Sequence, residues 1–166
     1  EGYLFSYHRS HGLRTISTRL SNIYGPRAQM QSPEFGVINW FVRLALDKKP
    51  IPIMGNGVIK RDCLYVDDCV GALLLLGSMD KTIGNIYNVG NSTPSNFKTI
   101  AEAISKETDA EIVYTEFSDD RKRIEPGDFY PDISRIKGIG WEPKTSLEEG
   151  LRNTISFYRK HKSHYW

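Results

Sequence analysis

Arg19-Leu20-Ser21-Asn22-Ile23-Tyr24-Gly25-Pro26 is the stretch on which the fold turns. Leading into it, Ile16, Thr18 and Leu20 alternate with Thr15, Ser17 and Arg19, the period-two pattern of a strand over Arg14 to Asn22. Tyr24-Gly25-Pro26 then breaks the strand, because proline has no amide proton to give a ladder. Upstream, Tyr3, Leu4, Tyr7 and His11 recur at helical spacing, and Gly12 stands where a left-handed C-terminal glycine belongs. Residues 1–11 therefore read as the tail of a helix. Glu1 opens in mid-pattern with no Met and no cap, which reads as the start of a fragment.

Downstream, Pro33 opens an amphipathic helix in which Val37, Ile38, Phe41, Val42 and Ala45 share a face as far as Leu46. Ile51 to Met54 is a short strand ended by the turn Gly55-Asn56-Gly57, and Arg61 to Val66 is extended again. Asp67 is expected to cap a helix from Asp68 to Ser78. Asn85 to Val89 and Glu111 to Phe117 read as strands around a helix from Pro94 to Lys106, with Phe97, Ile100, Ala101 and Ile104 inward. Asp132 caps a short helix ending near Gly138. Ser146 and Glu149 form a capping box for a last helix that carries Leu147, Leu151, Ile155 and Tyr158 on one side. Strands and helices alternate, so the class is α/β, yet the strands are too few for a complete doubly wound sheet.

Bulk composition removes several functions. Net charge is +2, and the one basic cluster, Arg121-Lys122-Arg123, is answered by Asp119, Asp120 and Glu125, so no nucleic-acid face is expected. No apolar run approaches the ~20 residues of a membrane span, and a cytoplasmic setting is expected. Cys63 and Cys69 lack metal or disulfide-framework spacing and read as reduced thiols. His8 with His11, and His161 with His164, have no carboxylate or cysteine partner at metal-site spacing, so no metal is expected.

Four stretches together resemble the extended short-chain dehydrogenases that act on nucleotide sugars, the NAD-dependent epimerases and dehydratases of the UDP-glucose 4-epimerase and dTDP-glucose 4,6-dehydratase kind. They are Ser21-Asn22-Ile23-Tyr24-Gly25-Pro26; Gly55-Asn56-Gly57 with Arg61-Asp62-Cys63-Leu64-Tyr65-Val66-Asp67-Asp68; Asn85 to Gly90; and Pro126-Gly127-Asp128 through Gly150-Leu151. The order and approximate spacing agree, and the likeness covers essentially all 166 residues. It implies the C-terminal part of a Rossmann-type epimerase: the last sheet strands plus a small α/β substrate-binding domain. The family's glycine-rich phosphate loop is not in this sequence, and its catalytic Tyr-x-x-x-Lys would fall just before Glu1. The one such spacing here, Tyr158 to Lys162, lies at the end of the last helix, where chance accounts for it.

Site residues follow from the resemblance. It places Arg61 on the diphosphate, which a planar and permanently charged guanidinium suits; the alternative is a surface arginine paired with Asp62 or Asp67. It places Asp128 on the ribose hydroxyls, against a loop-capping role. Asn22 ends a strand at the edge where α/β sheets bind ligands, as a ligand to hexose or diphosphate or as a structural turn residue. Ile51, Ile53 and Met54 form part of a base slot or are simply core. Tyr24 approaches the nicotinamide of the cofactor or packs beneath the turn. Two positions depart from the family: Cys63 replaces an aromatic, and Glu125 replaces a second phosphate arginine, for which Arg121 or Arg123 are substitutes from further back.

The resemblance thus implies a parent enzyme that oxidises a hexose carbon transiently with NAD, the cofactor being held mainly by an N-terminal Rossmann part. The chain alone is expected to be inactive, to hold a nucleotide-diphosphate sugar, and to associate as a homo-oligomer, most simply a dimer. A stand-alone nucleotide-sugar-binding module, and a subunit completing a separately encoded Rossmann half, are the alternatives.

Overall fold

The computed structural model describes residues 1–166. Helix α1 (Gly2–His11) ends on Gly12, which takes a left-handed φ of 67° and returns its amide to the carbonyls of His8 and Tyr7. The strand expected over Arg14 to Asn22 is divided in two: β1 (Ser17–Leu20) and β2 (Asn22–Tyr24). The two segments join different partners, because β1 pairs in parallel with β6 (Ile86–Val89) and β2 pairs in parallel with β5 (Cys63–Tyr65). Ser21 is the switch between them.

A 3-10 turn, Pro33–Phe35, leads into α2 (Val37–Leu46), which buries Ile38, Phe41, Val42 and Ala45. Strand β3 (Ile51–Met54) follows and pairs in parallel with β8 (Ile112–Thr115). Between them lie β4 (Lys60–Arg61), α3 (Val66–Ser78), β7 (Ser95–Asn96) and α4 (Phe97–Thr108), and β4 runs antiparallel to β7. The chain closes with α5 (Asp119–Ile124), α6 (Ser134–Lys137) and α7 (Leu147–Tyr165). The architecture is α/β, as the alternation predicts.

One expected cap is corrected. Tyr65, not Asp67, is the residue before α3, and no side chain caps that helix. Extended β5 runs straight into the helix at Val66, which leaves Asp67 and Asp68 inside the first turn, where carboxylates favour the positive end of the helix dipole. Asp68 also accepts the Thr145 amide at 2.9 Å, tying α3 to the loop before α7. The Ser146 cap is as expected, accepting the Glu149 amide at 3.2 Å.

Two apolar cores result. The larger joins α2, β3, α4 and α7 around Val42, Ile53, Ile104 and Tyr158. The smaller joins β5, α3, β6 and α6 around Leu64, Leu76, Val89 and Ile136. Each fully buried aliphatic side chain is worth roughly 1.5–3 kcal/mol, so α7, which buries Leu151, Ile155 and Tyr158 together, is bound firmly to the first core. Cys63 and Cys69 are buried and unpaired. No helix is long and apolar enough to cross a membrane.

Candidate functional site

Strand β3 delivers the chain to the turn Gly55-Asn56-Gly57, where both glycines take left-handed φ of 62° and 70°. A Cβ on Gly57 would stand 2.7 Å from Ile53 Cγ2, and one on Gly55 would stand 2.7 Å from Phe117. The turn is therefore tight for steric as well as torsional reasons. It sends β4 back alongside β7, whose Asn96 caps α4 by accepting the Thr99 amide at 2.7 Å. Arg61 on β4 thereby lies over the ring of Phe97, the first residue of α4, at 5.6 Å.

Around this junction is a cavity of about 330 Å³, at the lower end of small-molecule sites. Trp40 and Phe41 from α2 form part of its wall, Ile53 and Met54 from β3 another, and Phe97 and Phe117 stand with them. Ile53 is buried, whereas Met54 is 41% exposed at the rim. The polar lining is Arg61, Arg121 and Glu125.

Arg61 is neither free nor paired with Asp62 or Asp67. Its Nη2 donates to Glu125 in an ion pair, and Nη1 donates to the carbonyls of Gly127, at 2.5 Å, and Lys60, at 3.0 Å. Of the two substitutes further back, Arg121 on α5 lines the cavity, while Arg123 points to solvent and reaches Asp120 only at 4.0 Å. Asp128 stands beside β4, where its Oδ1 accepts the Lys60 amide at 2.8 Å, so a loop-capping contact is present.

Asn22 is not brought to this cavity. It lines a second, smaller cleft with Ser21, Glu34 and Phe35, and its Nδ2 donates to the Asp62 carbonyl at 2.8 Å. Beneath it, Asp62 is fully buried at the ends of the parallel strands β1 and β6. Oδ1 accepts the Asn91 amide at 2.8 Å, but Oδ2 and the Ser21 hydroxyl facing it lack a well-formed partner. Burial pushes the Asp62 pKa up, opposed by the Ser21 hydroxyl and the Asn91 amide.

Tyr24 requires a correction. It is 2% exposed, directs its hydroxyl toward the Leu147 carbonyl at 3.4 Å, and packs edge-on to Tyr65. It lies under the turn in the core, not at a surface where nicotinamide could reach it, and burial drives its phenol pKa well above the usual value. Ile51 is likewise core, with no exposure and no place in the cavity. Tyr158 is buried, its hydroxyl accepts the Ala28 amide at 2.8 Å, and burial lifts its pKa to about 12. A catalytic phenol needs the opposite shift. Lys162 is engaged with Asp47 at 2.6 Å, so these two residues are a structural latch. Two of the four histidines are similarly occupied: His8 Nδ1 meets the Leu13 carbonyl at 2.8 Å, and His161 lies against Phe157.

Sequence reading missed Trp40, Phe41, Phe97 and Phe117 as cavity residues. Phe41 and Phe97 fall on inward helix positions, which look the same whether they fill a core or line a hole in it. The glycine turn at 55–57 precedes a strand instead of a helix N-terminus, so its amides do not gather on a pyrophosphate, and Tyr24 is withdrawn.

Parallel strands, two mixed helix-and-strand cores and an aromatic cavity closed by an arginine are the C-terminal part of a Rossmann-type extended short-chain dehydrogenase. The chain belongs to the GDP-mannose 4,6-dehydratase family, whose model matches residues 1–154. It is 34% identical over 165 residues to a trifunctional UDP-glucose 4,6-dehydratase, UDP-4-keto-6-deoxy-D-glucose 3,5-epimerase and UDP-4-keto-L-rhamnose-reductase of Arabidopsis thaliana, covering 95% of this chain and 23% of that protein. With the dTDP-glucose 4,6-dehydratase of Streptomyces griseus it shares 33% identity, over 95% of this chain and 47% of the relative. Among solved structures, the UDP-glucose 4-epimerase of Thermotoga maritima with UDP-glucose superposes with a TM-score of 0.85 at 32% identity, over 97% of this chain and 51% of that one. The dTDP-glucose 4,6-dehydratase of Bacillus anthracis, solved with NAD, gives 0.80 at 28% identity, over 98% and 50%. The chain thus spans about half of the length of these relatives, and 23% of the trifunctional one.

Proposed function

We propose that this chain is the nucleotide-sugar-binding part of an NAD-dependent epimerase or dehydratase that acts by transient oxidation of the hexose. The observation that carries the reading is the cavity itself. Flat aromatic walls suit a nucleobase, and two guanidinium groups at one place suit a diphosphate. The names of the relatives, dehydratases and epimerases of UDP- and dTDP-sugars, support the same substrate class. Asp128 beside Arg61 is assigned to the ribose, and Asn22 at the strand ends to the hexose side. NAD, which accepts and returns a hydride when bound, is assigned to residues outside this chain. Binding and orientation, not bond making, are then what these residues contribute, and the chain alone is expected to show no turnover.

Arg61→Ala tests the assignment. A charge-assisted hydrogen bond contributes roughly 1.5–3 kcal/mol, so binding of UDP- or dTDP-sugars should weaken roughly ten- to a hundred-fold. Arg61→Lys should restore only part, since an ammonium cannot reproduce the guanidinium fork. Calorimetric titration of both variants reads the effect; unchanged affinity in Arg61→Ala removes the diphosphate from this site.

A further inference from the structure

Arg61 already has an anion. Glu125 holds its Nη2, and both side chains are largely shielded, at 15% and 21% exposure. The guanidinium is pinned on its other sides by the Phe97 ring and the Gly127 and Lys60 carbonyls. A ligand phosphate approaching from the cavity therefore meets a carboxylate on the group it needs. The charge balance points the same way. Arg61 and Arg121 bring two positive charges to the lining and Glu125 one negative, leaving +1 against a diphosphate diester that carries two negative charges.

We propose that Glu125 is a built-in competitor for the anion site: it occupies Arg61 when the cavity is empty and is displaced when a nucleoside diphosphate enters. This rests on the diphosphate reading above. The exchange is local. The Glu125 amide donates to the Arg121 carbonyl at 3.0 Å and the backbone on either side is otherwise fixed by α5 and by the Gly127 contact, so only the Glu125 side chain need rotate. While displaced, the carboxylate regains solvent, and Arg61 keeps its stacking and carbonyl contacts. Glu125 thus sets the affinity threshold of the site and holds the arginine in its binding geometry in the absence of ligand. That second task makes it a positioning residue as well as a competitor.

The experiment is calorimetric titration of the 166-residue chain with UDP, dTDP and GDP, each against its uncharged nucleoside. Glu125→Gln keeps the shape and removes the charge. Expected is a gain of about tenfold for the diphosphate, the scale of one charge-assisted contact, with nucleoside affinity unchanged. Glu125→Ala provides a second variant, and thermal melting confirms that both fold. A purely structural Glu125 would shift diphosphate and nucleoside alike. If neither variant tightens the diphosphate while Arg61→Ala still loses it, the competitor role is overturned and the phosphate assignment stands. If Arg61→Ala also leaves diphosphate affinity unchanged, the phosphate reading fails and this proposal fails with it.

Discussion

Asp62 shows at the scale of one residue how the strand ends are held. Its Oδ1 takes the Asn91 amide and its carbonyl takes Asn22 Nδ2, so one residue between β4 and β5 ties down the start of β2 and the loop after β6. The cost is a buried carboxylate with one oxygen unmatched. Its folded pKa is raised above the ordinary 3.8, so its contribution to stability is full below that value and is lost as pH rises through the folded pKa. At neutral pH the protein bears the penalty. Asp62→Asn should therefore raise unfolding free energy at pH 7 by about 1 kcal/mol, the scale of an unsatisfied buried group. Near pH 4 the gain should shrink toward zero. Denaturant unfolding at both pH values measures it, and a variant less stable at pH 7 would contradict this account. The residue scale is also where sequence reading stops. The partners that the sequence suggests for Arg61, Asp62 and Asp67, lie one and six positions away, but the fold supplies Glu125 from 64 residues along the chain. Tyr24 sits in a conspicuous motif, yet nothing in the motif says whether its ring faces ligand or core.

Elements were far more legible, because periodicity and caps are local. The turn at Gly12, the strand at Ile51–Met54 and the cap at Ser146 stand where the pattern places them. The failures have causes. One continuous strand was read where Ser21 divides two, since alternation continues across a switch of partner. Arg121-Lys122-Arg123 was read as a charge cluster, whereas Ser118 caps it into the short helix α5. Helix α7 carries a sharper constraint. A Cβ on Gly150 would come 2.2 Å from the Tyr24 hydroxyl and 3.0 Å from the Tyr65 ring. Alanine would gain up to ~1 kcal/mol of helix propensity. Overpacking against two buried aromatics costs typically 1–3 kcal/mol, and Tyr24 has no exposed side to retreat to. Gly150→Ala should therefore lower stability by about 1–2 kcal/mol in a denaturant titration. A variant as stable as the parent would mean that α7 does not press on Tyr24.

For the whole molecule, the surface is too large for its mass. The chain exposes 9860 Å², where a folded monomer of 19.0 kDa shows about 8,400 Å². The excess includes Tyr3 and Tyr7 on α1, Leu73 and Leu74 on α3, and Leu20 on β1. Helix α2 spends its apolar side on the core. Exposed apolar patches favour association, so light scattering should find dimers or larger species; a clean monomer at all concentrations, with no binding of an apolar-surface dye, would argue otherwise. The α/β class and the family were legible in the order of four motifs, while the cavity was not, since its walls come from helices and strands far apart in sequence. Titrate the unmodified chain with UDP-, dTDP- and GDP-sugars and with NAD, following heat and the tryptophan fluorescence, to which Trp40 in the cavity wall contributes. Saturable binding of at least one nucleotide sugar, competed by its nucleoside diphosphate, is expected, with weak or absent binding of NAD. Tight binding of NAD with no response to any nucleotide sugar would contradict it.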